Sequence, residues 1–249
     1  VDTTSYLALS RIDTLTRALD VTANNLANTN TDGFKGSRVL FSDYLSKQHN
    51  AHGLGSEKTL NYNQDKATYR DNLQGELRTT GNPLDLAING RGYFAVRTQQ
   101  GVRLTRDGKF QYSNDGTIVD SAGNPLLDNQ NRNITLDPQD IPLRLSVASD
   151  GTISTDRGRV GSINLVTVDN TNTLKAEGDH LFRPTTPLRA VDTKEIRQGM
   201  LEASNVNPVA ATTEMVKIQR EYDLNFQLLQ KDFTRRLNAL DKITSEPTA

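Results

Sequence analysis

The chain has 249 residues and a formal net charge of −1; 24% of its residues are charged, 35% are hydrophobic, and it has no Cys or Trp. Such a balance lacks the positive excess that binds nucleic acid or an anionic membrane. The missing Cys exclude disulfides, thiolate metal sites and a thiol nucleophile, and suit any compartment, including an oxidising one. Low apolar content predicts an elongated shape or small cores, and no apolar run approaches the length of a membrane span.

Residues 3–28 predict an amphipathic helix with Thr3, Thr4 or Ser5 as N-cap. Ala8, Ile12, Leu15, Leu19, Thr22 and Leu26 recur at spacings of four and three, a narrow coiled-coil-like seam. Val1 to Asp20 has neither the basic start nor the apolar block of a cleaved signal peptide. A chain that leaves the cytoplasm is therefore expected to use another route. Asn24, Asn25 and Asn28, poor helix formers, then crowd the helix end, and Asp32-Gly33 is a turn signal. The helix is expected to stop there, with the chain leaving at a defined angle.

Residues 36–81 carry no sustained period and predict an extended, irregular connecting arm. His49 and His52 lie in it three apart, without a third ligand nearby, and are expected to be solvated. From residue 82 to 204 the texture is that of short strands. Leu84, Leu86 and Ile88 alternate, Asn89-Gly90 turns the chain, and Phe94 and Val96 continue. Leu143, Leu145 and Val147 alternate again ahead of Asp150-Gly151. Strands punctuated by Asp-Gly and Asn-Gly predict antiparallel hairpins and an all-β domain. Asn114-Asp115-Gly116 lacks the alternating carboxylates of a calcium loop, and Asn89-Gly90-Arg91-Gly92 sits between strands rather than before a helix, so both predict turns.

Asn207 and Pro208 predict a capped helix start, with the helix running to about Thr244. Met215, Phe226 and Leu237 are spaced by eleven, as are Ile218, Leu229 and Leu240; Tyr222 and Phe233 lie among them. An eleven-residue repeat favours straight or weakly right-handed packing. At about 1.5 Å per residue the helices are roughly 38 and 55 Å long, so the first cannot cover the second, and the remaining apolar surface needs other molecules. The fold class is therefore α+β. Residues 1–35 and 205–249 are expected to form one discontinuous helical domain, completed by neighbouring subunits, with 82–204 as an outer β domain.

Nothing in the sequence converges on a catalytic centre. The three His are His49, His52 and His180, the last at a predicted strand start, and the carboxylates Glu214, Glu221 and Asp223 lie on helix faces. No enzyme activity, cofactor, metal or small-molecule substrate is expected.

Three segments carry a resemblance. Residues 23–35, Ala23-Asn24-Asn25-Leu26-Ala27-Asn28-Thr29-Asn30-Thr31-Asp32-Gly33-Phe34-Lys35, resemble the N-terminal signature of the flagellar basal-body rod and hook family of axial proteins. Residues 81–96, from Gly81-Asn82-Pro83 to Tyr93-Phe94-Ala95-Val96, resemble its central motif, and Leu104-Thr105-Arg106-Asp107-Gly108-Lys109-Phe110 follows in order. Glu202-Ala203-Ser204-Asn205-Val206-Asn207-Pro208 and Met215 to Tyr222 resemble its C-terminal signature. Length, the short arm and Tyr69-Arg70-Asp71 are most similar to proximal rod members, with distal rod or hook proteins as the alternative. A periplasmic ligand-binding β module is the more distant one.

The resemblance implies export through the flagellar type III apparatus without a cleaved signal. It also implies assembly in the periplasm, with copies of itself and other rod proteins, into a helical tube that transmits torque. Ile12, Leu15, Leu19 and Leu26 are expected to meet Ile218, Tyr222, Leu229, Phe233 and Leu240, within or between subunits. Met215, Phe226 and Leu237 join them as assembly candidates. Asn24, Asn25 and Asn28 either bond across subunits or cap a helix end.

Overall fold

The computed structural model describes residues 3–48, 58–136, 145–191 and 194–244. His49, His52 and Leu143 lie outside these. The chain forms two compact units: residues 1–27, 37–69 and 207–249, and residues 28–36 and 70–206.

The first unit contains helix α1 (Thr3–Ala27), strands β1 (Ser37–Gln48) and β2 (Lys58–Arg70, whose last residue belongs to the second unit), and helix α2 (Pro208–Thr244). Thr3, Thr4 and Ser5, expected as caps, all lie inside α1. The cap of α2 forms as its chemistry dictates: Asn207 Oδ1 accepts from the Val209 and Ala210 amides at 3.0 and 3.1 Å, and Pro208, lacking an N–H, takes the first helical position. Several α1 threonines turn their hydroxyls onto the preceding turn, as Thr14 does to the Ser10 carbonyl at 2.6 Å, which satisfies them without leaving the helix.

Most of the described part of residues 36–81 is strand rather than an irregular arm. β1 and β2 pair with each other as a two-stranded sheet. Backbone pairing needs no apolar alternation, and a polar sequence such as Lys58–Arg70 therefore conceals it. Strand structure in the second unit also begins before residue 82, because β3 (Leu77–Thr79) pairs with Met200–Glu202.

In that β unit, β4 (Leu86–Ile88) pairs antiparallel with Ile196–Gln198. A six-stranded sheet runs in the order Lys175–Ala176, Leu181–Arg183, β6 (Gly101–Thr105), β5 (Tyr93–Thr98), Leu165–Thr167, Arg189–Ala190. β5 is buried on both faces. Phe94 and Val96 enter one apolar cluster with Leu86, Ile118 and Leu126, whereas Tyr93 and Ala95 enter another with Leu104, Val166 and Phe182. Edge-to-face rings close each side: Phe94 on Phe110 at 5.3 Å, and Tyr93 on Phe182 at 5.8 Å.

The turn signals hold at Asn89-Gly90, Asp115-Gly116 and Asp150-Gly151, where each glycine has φ between 81° and 98°. Gly108 serves close approach instead: a Cβ there would lie 1.6 Å from the Leu86 carbonyl oxygen. His180 is exposed, in a tight turn with φ 59° just before Leu181–Arg183.

Candidate assembly interface

α1 and α2 pack side by side in opposite directions. Ser5 meets Asp232 and Arg236, Arg11 meets Glu221 at 3.3 Å, and Leu15 and Ala18 meet Ile218. Position numbers rise along one helix as they fall along the other. Among the described residues, one apolar cluster lies in the contact: Leu15, Ala18 and Ile218 are buried, with Leu19 and Tyr222 packed against them. Glu221 reaches Arg11 across the helix pair, in an exposed ion pair of small worth. Farther along, a polar layer replaces apolar packing. The Arg236 guanidinium donates to Ser5 Oγ and Asp232 Oδ2, both at 2.7 Å, and Ser5 donates to Asp232 at 3.2 Å. Burial would raise the Asp232 pKa, but the hydrogen bond and charge of Arg236, with Arg235 beside it, hold it below the usual carboxylate value.

The eleven-residue periodicity describes this contact only in part: Ile218 and Leu229 lie on it, but Phe226, Leu237 and Leu240 do not. On α2 the less exposed positions include Ala211, Met215, Ile218, Tyr222, Asn225, Leu229, Asp232 and Arg236, alternating by four and three, with Glu221 beside them. An eleven-residue spacing drifts off that line: Phe226 is 46% exposed, Phe233 64%, Leu237 46% and Leu240 57%. These four recur at intervals of seven, four and three, so they share one face of α2 beside the packed line. Tyr222 stacks on Phe226, centroids 6.3 Å apart, at the border between the two. On α1, Ile12 and Leu26 are half-buried, like Leu19. The fold thus brings together Leu15, Leu19, Ile218 and Tyr222, half-covers Ile12, Leu26, Met215 and Leu229, and leaves Phe226, Phe233, Leu237 and Leu240 exposed.

The three asparagines separate in role. Asn25 donates to the Ser37 carbonyl at 2.7 Å and accepts from the Ser37 amide at 2.9 Å, tying the end of α1 to the start of β1. Both functions of its amide are thereby engaged inside the chain. Asn28, already in the β unit, accepts from the Thr31 hydroxyl and, through its carbonyl, from the Thr31 amide, each at 3.3 Å. Asn24 is exposed.

Within the β unit lies a group of charges that sequence reasoning did not single out. The Glu202 carboxylate, 2% exposed, accepts from Lys35 Nζ, from Arg106 Nη1 at 2.9 Å and from the Gly75 amide at 3.0 Å. Lys35 also donates to the Leu73 carbonyl at 2.7 Å, and Arg106 to the Gly90 carbonyl at 2.7 Å. Burial pushes the Lys35 ammonium below its usual range, against the pull of Glu202. Charged residues far apart in sequence are ordinarily assigned to solvent. The signal that could have found them is placement: Lys35, Arg106 and Glu202 each fall within one of the segments that carry the resemblance.

Comparison with known proteins follows the same three segments. Residues 6–35 match the family model for the flagella basal body rod protein, residues 87–155 the D1 domain of the flagellar hook protein FlgE/F/G, and residues 197–232 the C-terminal region of the flagellar basal body rod FlgEFG protein. The chain is 38% identical over 245 residues to the flagellar basal-body rod protein FlgF of Caulobacter vibrioides, covering 98% of each. It is 34% identical over 244 residues to FlgF of Mesorhizobium japonicum, covering 97% of this chain and 98% of the relative. To the rod protein FlgG of Bacillus subtilis it is 33% identical over 249 residues, covering 90% and 92%.

Proposed function

The chain belongs to the flagellar basal-body rod protein family and is a structural subunit of the rod, and we propose that it occupies the proximal segment, assembling through α1 and α2. The FlgF relatives of Caulobacter vibrioides and Mesorhizobium japonicum, at 38% and 34% identity over 97–98% of the chain, exceed the FlgG relative at 33% over 90% and support a FlgF-like, proximal position. The observation that carries the assembly reading is the bare face of α2. Phe226, Phe233, Leu237 and Leu240 stand beside a helix contact in which, among the described residues, Leu15, Ala18 and Ile218 are buried, with Leu19 and Tyr222 packed against them. An isolated subunit holding these in water gains by covering them, at about 25 cal/mol for each Å² of apolar area removed.

In this reading, copies of the chain and of its rod relatives cover that face by coil-like helix packing. Contacts of this heterologous kind repeat without closing and build a helical tube. The tube stands in the periplasm, receives its subunits through the flagellar type III apparatus, and transmits torque. Among the described residues no helix is long and apolar enough to cross a membrane. The subunit's role is mechanical rather than catalytic. The test is the level at which it appears in purified basal bodies. Labelled copies next to the motor end of the rod are expected; copies confined to the distal rod or hook would overturn the proximal placement.

A further inference from the structure

Between its two units the chain passes four times, after residues 27, 36, 69 and 206. On the β-unit side, the segments at the last three passages are bound to one another by the side chains of Asn205, Glu202 and Lys35. Asn205 accepts from the Gly36 amide at 2.8 Å and donates to the Asp71 and Leu73 carbonyls at 2.9 and 3.0 Å. The Asp71 amide in turn donates to the Gly36 carbonyl at 2.7 Å. Glu202 works one layer deeper: its carboxylate joins Lys35, Gly75 and Arg106, and its backbone carbonyl accepts from the Gly33 amide at 2.6 Å.

We propose that Glu202 and Asn205 form a clasp that locks the three exits of the β unit to one another and so positions the outgoing chain for assembly. The assembly half of this statement rests on the rod reading above. The geometry supports a clasp rather than a scattered set of bonds, because Asn205 bonds to residues 36, 71 and 73, Glu202 to residues 33, 35 and 75, and Lys35 to residues 73 and 202. A buried ion group is no general stabiliser, since hydrophobic replacements of similar volume often do as well, but it is strict about partners. Here the bookkeeping is asymmetric. One buried carboxylate faces two buried cations, Lys35 at 4% and Arg106 at 7% exposure. Losing Glu202 takes from both cations the carboxylate they hydrogen-bond to and leaves Lys35 only the weaker pull of Asp71, whereas losing the charge of Lys35 leaves a matched Glu202–Arg106 pair.

The test is amide hydrogen exchange on the full chain with Glu202→Gln, Lys35→Met and Asn205→Ala. Glu202→Gln is expected to speed exchange at Gly33 and Asp71 by about a hundredfold or more, while Ile118 and Leu127 in the sheet core stay within about threefold of wild type. Lys35→Met should change the same exits by less than about tenfold. Exits and core speeding together, exits unchanged, or Lys35→Met matching Glu202→Gln would each overturn the clasp. Should Glu202→Gln fail to fold, Asn205→Ala, which buries no unpaired charge, decides: Asp71 faster by about tenfold with an unchanged core supports it. In cells lacking their own copy of the subunit, Asn205→Ala should yield fewer rods than wild type. Full rod number with Asn205→Ala would refute the positioning role. Failure of the wild-type chain itself to restore rods would instead refute the rod reading.

Discussion

Asn25, in the last turn of α1, and Ser37, the first residue of β1, exchange two hydrogen bonds of 2.7 and 2.9 Å. A side-chain amide here stands in for a strand neighbour, so the helix end and the ribbon start are fixed to each other. Asn25→Ala should raise helix propensity by roughly half a kcal/mol yet strand both Ser37 groups, for a net loss of about 1–2 kcal/mol. Thermal unfolding and the exchange rate of the Ser37 amide check this. A variant as stable as wild type would reduce Asn25 to an ordinary helix-end residue.

Folding and assembly are separable on α2. Ile218 is 6% exposed, and Ile218→Ala should cost the isolated chain about 2–4 kcal/mol. Phe233→Asp lies on the bare face and should change stability by no more than about half a kcal/mol while abolishing rod formation. Denaturant titration and counts of basal bodies in a complemented deletion strain read the two effects. Leu229→Asp, at a half-covered position, should do some of each. Swimming cells with Phe233→Asp would mean that this face is idle.

Gly33 is required twice over. Its φ is 71°, and a Cβ would lie 2.4 Å from the Arg106 carbonyl carbon, which is backbone and cannot step aside cheaply. Gly33→Ala should therefore destabilise the β unit by roughly 3 kcal/mol or more. Gly81→Ala is the control: it shares a positive φ of 77° but has nothing within 4 Å, so only the backbone cost of about 1–2 kcal/mol applies. Equal losses in calorimetry would show that the close contact with Arg106 does not matter.

Asp232 makes the helix pair acid-sensitive. Its pKa in the folded chain lies below the ordinary 3.8, which applies when the chain is unfolded. Stability from the Ser5–Asp232–Arg236 layer is thus fully present above that ordinary value and disappears as pH falls through the lower folded one. Asp232→Asn should flatten the acid limb of the unfolding curve. An unchanged limb in circular dichroism would show that this layer carries no proton linkage.

Local rules made much of this fold legible. The Asn207 cap, the Pro208 start, the Asp-Gly and Asn-Gly turns and the alternation of Phe94 and Val96 are each decided by neighbours in sequence, and each stands in the structure. The β1–β2 ribbon was hidden because its pairing resides in the backbone and its sequence is polar. The sequence did not divide the α2 apolar residues between the contact with α1 and the outer face for a geometric reason: α1 selects the line through Ile218, Tyr222, Asn225 and Leu229, which only a partner helix defines. The Glu202 group escaped because burial of a charge is set by partners that the chain brings from far away, here 167 residues between Lys35 and Glu202.

The chain has no native Cys, so a single Phe233→Cys gives an unambiguous probe of the bare α2 face. Its reaction rate with a maleimide is to be compared between the free subunit and purified basal bodies. If the face is covered by neighbouring subunits, the thiol should react freely in the subunit and at least about tenfold more slowly in the rod. Equal rates in both, with the subunit present in the rod, would contradict assembly through this face.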